Sequence, residues 1–161
     1  MIRTRLSEDA RAAVMRAAEA EARRRGRRRI GTEDLLMGLL TEPGGTASRV
    51  LGRDIDAARS ASARLDTRAL EAVGIRAEAA PPPSVPRQRG RLTFTAGARS
   101  AFVRAVRLAQ ADRAGKVTAA HLTAGVLSGR EPDDAIALVE AMGVEVASAL
   151  ERATTIIKGT D

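Results

Sequence analysis

Apolar residues recur at three- and four-residue spacings through Ala10, Ala13, Val14, Ala17 and Ala18, with charged residues between them. That period places one apolar face on a helix about 18 residues long. The same face returns 88 residues later at Ala98, Ala101, Phe102, Ala105 and Val106, and Ala10-Arg11 itself recurs as Ala98-Arg99. Ser7 and Thr95 precede the two helices as N-caps. A second block, Leu35, Met37, Gly38, Leu39 and Leu40, returns at an offset of 87 as Leu122, Ala124, Gly125, Val126 and Leu127. Thr32 and Thr118-Ala119 open these shorter helices. Val50-Leu51 pairs with Leu138-Val139, and Ile55 and Val144 begin a fourth helix in each half. The small changes of offset read as loop insertions.

The chain therefore reads as all-α: two pseudo-twofold-related four-helix repeats, residues 1–75 and 94–161, joined by a Pro/Arg-rich linker over 76–93. Helices are predicted near 8–25, 33–41, 46–52, 55–65, 96–114, 119–128, 133–142 and 144–156, with a short extra helix from Asp66 to Gly74. The linker contains Pro81-Pro82-Pro83, Pro86 and Gly90, a mixture that neither a helix nor a central strand tolerates. Val14, Leu36, Leu39, Leu51, Phe102, Leu122, Val126 and Leu138 are the expected core.

Composition sharpens this picture by exclusion. Of 161 residues 44% are apolar but only 1% aromatic, so Ala, Leu, Val and Ile must fill the core, which suits closely packed helices. With no cysteine and one histidine, disulfides, thiol nucleophiles and His-rich metal sites are excluded. No cofactor is expected. The start Met1-Ile2-Arg3-Thr4-Arg5-Leu6 lacks a signal-peptide pattern, and no run of 18 apolar residues occurs. A cytoplasmic location with no membrane contact is the expectation.

The net charge of +7 raises nucleic acid as a partner. Its distribution is alternating: +6 over residues 1–30, −2 over 31–80, +7 over 81–118 and −4 over 119–161. Six arginines fall within Arg23-Arg24-Arg25-Gly26-Arg27-Arg28-Arg29. They read as a solvated helix C-terminus stopped by Gly26, as a nucleic-acid contact, or as a docking patch for an acidic protein or for the negative half of another copy. The lack of aromatics disfavours base stacking.

Ile30-Gly31-Thr32-Glu33-Asp34-Leu35-Leu36-Met37-Gly38-Leu39-Leu40 resembles the I-G-T-E-H-L-L-L-G-L-L signature of the Clp N-terminal domain family, with Asp34 in place of His. Gly90-Arg91-Leu92-Thr93-Phe94-Thr95 is similar to that family's G-H-I-P-F-T. The family is the double-repeat helical module at the front of Clp-type AAA+ unfoldases, and the resemblance runs from about Arg5 to about Ala153. It implies a non-enzymatic peptide- or adaptor-binding role in protein quality control. No phosphate loop is present, since Gly115-Lys116 is followed by Val117 and Gln110 stands where the leading glycine belongs. The chain then corresponds to a fragment of a larger ATPase or to a free-standing double-repeat protein of the kind found in actinobacteria.

The resemblance points to two surfaces. Thr32 and Glu33 match the family's phosphoarginine-binding pair, a helix N-terminus for the phosphate and a carboxylate for the guanidinium. The aligned Ala119 and Ala120 lack both groups. Equally, a threonine N-cap and a first-turn acid stabilise a helix with no ligand, each by roughly 0.5–1 kcal/mol. Arg11, Met15, Phe94 and Arg99 match the groove between the first helices, where family members bind adaptors and cyclic-peptide antibiotics. The aromatic expected near the N-terminus is replaced by Ile2 or Arg3. Sequestration of such cyclic peptides and nucleic-acid binding are the alternative functions. His121, at the signature's His position and without a G-x-S-x-G elbow, reads as a capping or packing residue. Met15, Met37 and Met142 read as core filler.

Overall fold

A computed structural model describes residues 5–76 and 90–159. In chain order the elements are β1 (Arg5–Leu6), α1 (Glu8–Ala12), a π-helical turn (Ala13–Ala17), α2 (Ala18–Arg24), β2 (Arg29–Ile30), α3 (Thr32–Leu40), α4 (Thr46–Leu51) and α5 (Ile55–Ala72). There follow β3 (Thr93–Phe94), α6 (Ala96–Ala111), β4 (Lys116–Val117), α7 (Ala119–Leu127), α8 (Asp134–Ala141) and α9 (Val146–Lys158). The fold is all-α apart from these two-residue strands.

Polar caps start the helices where the sequence places them. Ser7 Oγ accepts from the Ala10 amide at 3.4 Å, Asp54 Oδ1 from Ala57 at 2.8 Å and Thr95 Oγ1 from Ala98 at 3.1 Å. Each bond satisfies one amide that the first helical turn leaves unpaired. The apolar faces then meet in one core that includes Val14, Leu36, Leu51, Leu122, Val126 and Leu138. Because α3 and α7 are buried along their whole length, they form its centre. Phe102 packs against the core from a half-buried position rather than within it.

The two halves are joined by exchange of short strands. β1 pairs in parallel with β4, and β2 with β3, so each half contributes one strand to each pair. Further ties cross between the halves: Arg53 Nε donates to Met142 O at 3.0 Å and Arg152 Nε to Val50 O at 2.6 Å.

Gly38 and Gly125 permit the closest helix crossings. A Cβ on Gly38 would lie 2.6 Å from Ala13 O and 2.7 Å from Ala18 N, and one on Gly125 would lie 2.6 Å from Ala101 O. The partner at Gly38 is the π-helical turn itself. Fully buried Ala10 corresponds to Ala98 at an offset of 88, whereas fully buried Ala18 and Ala22 correspond to Ala105 and Ala109 at 87. One residue is thus inserted inside the first long helix, absorbed as a wide turn. The change of offset there is a helical insertion, not the loop insertion expected from sequence.

Three other expectations change. The segment from Asp66 onward is no separate helix, because no Gly or Pro interrupts α5 between Ile55 and Ala72. The fourth helix of the second half begins at Val146 behind Glu145, with Val144 in the preceding turn. Thr32 is not an N-cap: that position is Gly31, and Thr32 is the first residue of α3. Ile2, Arg3 and most of the linker lie outside the described residues. Among those described, no helix is long and apolar enough to cross a membrane.

Candidate binding surfaces

The N-terminus of α3 gathers a buried charge cluster. Gly31 provides no capping side chain, so Asp34 reaches back instead, its Oδ2 accepting from the Gly31 amide at 2.9 Å. The other Asp34 oxygen lies 3.2 Å from Arg25 Nη1, and the same nitrogen lies 2.8 Å from Glu33 Oε2. Ser62 on α5 donates to Glu33 Oε1 at 2.8 Å. One guanidinium therefore serves two buried carboxylates, with Arg27 approaching Glu33 from the surface at 3.8 Å.

The titration of the cluster follows from that count. Burial holds the Glu33 carboxyl above its ordinary range, against the pull of Ser62 and Arg25. Asp34 is raised for the same reason, against the Gly31 amide and Arg25. Burial weakens the charge on Arg25, but its two carboxylate neighbours outweigh that and hold it more firmly protonated.

Thr32 faces elsewhere. Its hydroxyl donates to Asp133 Oδ1 at 3.1 Å, and Asp133 is the N-cap of α8, accepting from Ala135 at 2.9 Å. Thr32 and Glu33, adjacent in sequence, thus contact different elements, one in each half. Sequence reasoning missed Arg25, Ser62 and Asp133. Arg25 was concealed by its charged neighbours, although its spacing to Asp34 matches that of Asp112 to His121.

The corresponding end of α7 repeats the capping with different chemistry. Thr118 is the N-cap, and its amide donates to His121 Nδ1 at 3.1 Å, with the Thr118 hydroxyl 2.8 Å from the same nitrogen. Nδ1 therefore accepts, which leaves the ring proton on Nε2, 3.6 Å from Asp112 and without a hydrogen bond. Burial lowers the His121 pKa, opposed by Asp112.

The four groove residues separate into two pairs. Arg11 and Met15 line a cleft of about 510 Å³ with Leu6, Arg16 and Arg91. Phe94 instead packs edge-on against Phe102, centroids 5.2 Å apart, and its carbonyl accepts from Arg99 Nη1 at 2.7 Å. Leu6, Arg16 and Arg91 were missed by the sequence reading. Leu6 is the 88-residue counterpart of Phe94, a relation the repeat already contained.

The arginine run is less solvated than its sequence suggests. Arg23 bonds Glu19 and the Gly90 carbonyl, and Arg24 bonds Glu21 at 2.9 Å. Arg25 is held in the buried cluster, while Gly26 takes the left-handed conformation that turns the chain out of the helix. Arg27, Arg28 and Arg29 are exposed. Among the described residues no group of His, Cys, Asp and Glu is arranged to hold a metal ion.

This architecture, two short-stranded helical halves around one core, is the Clp N-terminal domain fold. The N-terminal domain of the caseinolytic-protease-associated chaperone ClpD from Arabidopsis thaliana superposes with a TM-score of 0.70 at 22% identity, covering 96% of each chain. A structure described in preliminary structural investigations of a malarial protein secretion system superposes with a TM-score of 0.64 at 15% identity, covering 96% of this chain and 93% of that one. No protein-family model and no curated protein matches the sequence.

Proposed function

We propose that this chain is a non-catalytic peptide- or adaptor-binding module of a Clp protein quality-control system, built of repeats 1–75 and 94–161 about a linker at 76–93. The observation that carries the reading is the end-to-end match to a Clp N-terminal domain fold, with the Arg11 and Met15 cleft open beside it. The exposed arginines and the absence of a phosphate loop fit recognition rather than chemistry. Of the two candidate surfaces the cleft is better supported, because Thr32 and Glu33 already hold Asp133, Arg25 and Ser62. Phosphoarginine at Thr32 and Glu33 is a second reading. In its favour, Glu33 already grips a guanidinium at 2.8 Å, and a phosphoarginine side chain would have to replace that of Arg25.

Calorimetric titration of the chain with a permanently unfolded model protein, and separately with a phosphoarginine peptide, tests both. Saturable binding of the unfolded protein is expected. For phosphoarginine, at most one site per chain is expected, abolished by Glu33→Ala, because Ala119 and Ala120 offer neither hydroxyl nor carboxylate. Absence of saturable binding to either probe would overturn the module reading.

A further inference from the structure

The repeat provides an internal control for the cleft. Leu6, Arg11 and Arg16 correspond at an offset of 88 to Phe94, Arg99 and Arg104. In the second half both arginines are engaged: Arg99 donates to Phe94 O at 2.7 Å and Arg104 Nε to Gly125 O at 2.8 Å. In the first half the carbonyl equivalent to Gly125 O is Gly38 O, and it accepts instead from the Thr41 hydroxyl at 2.5 Å. The Arg11 and Arg16 side chains are left exposed, with no hydrogen bond or ion pair to a described residue. The Arg91 side chain, entering from the approach to β3, is in the same condition, and among the described residues no acidic side chain lines the cleft.

A second observation falls at the same place. Met15 and Arg16 both belong to the π-helical turn Ala13–Ala17, which absorbs the one residue by which the first long helix exceeds its counterpart. Such turns are costly in regular helices and are frequent where a helix presents a binding face. Here the turn sets Met15 beside half-buried Leu6 as an apolar floor, with three guanidiniums around it.

We propose that the cleft formed by Leu6, Arg11, Met15, Arg16 and Arg91 docks an acidic peptide segment carrying one apolar side chain between carboxylates. The proposal rests on the peptide-binding reading above and names the chemistry of that peptide. Guanidiniums pair with carboxylates in fixed, forked geometry, and the apolar floor requires a side chain that a bare anion lacks. A nucleic acid is a poorer occupant: the cleft contains no aromatic ring on which a base could stack.

The test is fluorescence anisotropy of the full chain with a labelled peptide in which one leucine is flanked by Asp and Glu, alongside its Asn/Gln counterpart and a single-stranded oligonucleotide of equal charge. The acidic peptide is expected to bind at least tenfold more tightly than the amide version, with the difference shrinking as salt rises. Arg16→Gln with Arg91→Gln should reduce its affinity tenfold or more, while Arg28→Gln with Arg29→Gln, on the exposed run, should leave it within twofold. Thermal melts of both variants should match the parent, since all four side chains are exposed. Equal binding of the amide peptide, equal loss in the two variants, or tighter binding of the oligonucleotide would overturn the proposal. So would self-association abolished by the Arg16 and Arg91 substitutions, which would assign the cleft to a second copy. If neither peptide binds while the unfolded protein does, this proposal fails and the module reading stands; if nothing binds, both fail.

Discussion

Arg25 and Asp112 occupy equivalent positions 87 residues apart, carry opposite charge, and each faces a partner of complementary type, Asp34 at 3.2 Å and His121 at 3.6 Å. Asp34 and His121 are themselves equivalent at the same offset, and both cap their helix through a backbone amide. Arg25 thus meets a carboxylate while Asp112 meets a neutral imidazole, and the two sites keep the same capping geometry with different chemistry.

The imidazole makes one half of this arrangement sensitive to acid. His121 has its folded pKa lowered by burial, so it favours the neutral form in the native state. Its stabilising contribution is present above the unfolded value of about 6.5 and is lost as pH falls through the folded value. Melting temperatures taken between pH 7.5 and 5 should fall further for the parent chain than for His121→Gln.

Removal of Arg25 should be costly at neutral pH. Arg25→Met leaves Glu33 and Asp34 buried without their shared cation, and a loss of about 3–5 kcal/mol is expected. Both carboxyls already titrate above their usual range, so acid neutralises them early in the folded state. Urea denaturation at pH 7 and at pH 4.5 should therefore show the smaller penalty at the lower pH.

Steric closeness gives a sharper expectation. Gly38→Ala would place a methyl group 2.6 Å from the Ala13 carbonyl oxygen, and backbone cannot move aside as a side chain can. The expected loss is at least the 1–3 kcal/mol of an overpacked core. Gly125→Ala meets Ala101 O at the same distance and should lose a comparable amount, read as the shift in denaturation midpoint.

Thr32 is tested by Thr32→Val. Its hydroxyl donates to Asp133 in the other half, and the isosteric change removes that bond while preserving shape. A loss of about 1 kcal/mol is expected. An unchanged midpoint would show that Thr32 has no structural role.

The helical period made most of the fold readable, because alanine-rich faces at three- and four-residue spacing admit few other structures. What it reports is which side of a helix is covered, not what covers it. Thr32 illustrates the limit, since its partner Asp133 lies 101 residues away and no local pattern connects them. The inserted residue in the first helix was visible as the step from 88 to 87, yet a step in offset does not distinguish a loop from a wide helical turn. Glu33 carried a family signature, but its neighbours Arg25 and Ser62 come from two other segments that only packing brings together.

The strand exchange between halves sets an order of events on the ribosome. β1 finds its partner only when Lys116 and Val117 have emerged, 111 residues after Arg5 and Leu6. The first half can form helices as it is made, but its amino-terminal edge stays unclosed until more than two thirds of the 161 residues have been synthesised. Closing so distant a contact costs entropy that only the completed core returns, so the nascent chain should consolidate late and as one unit.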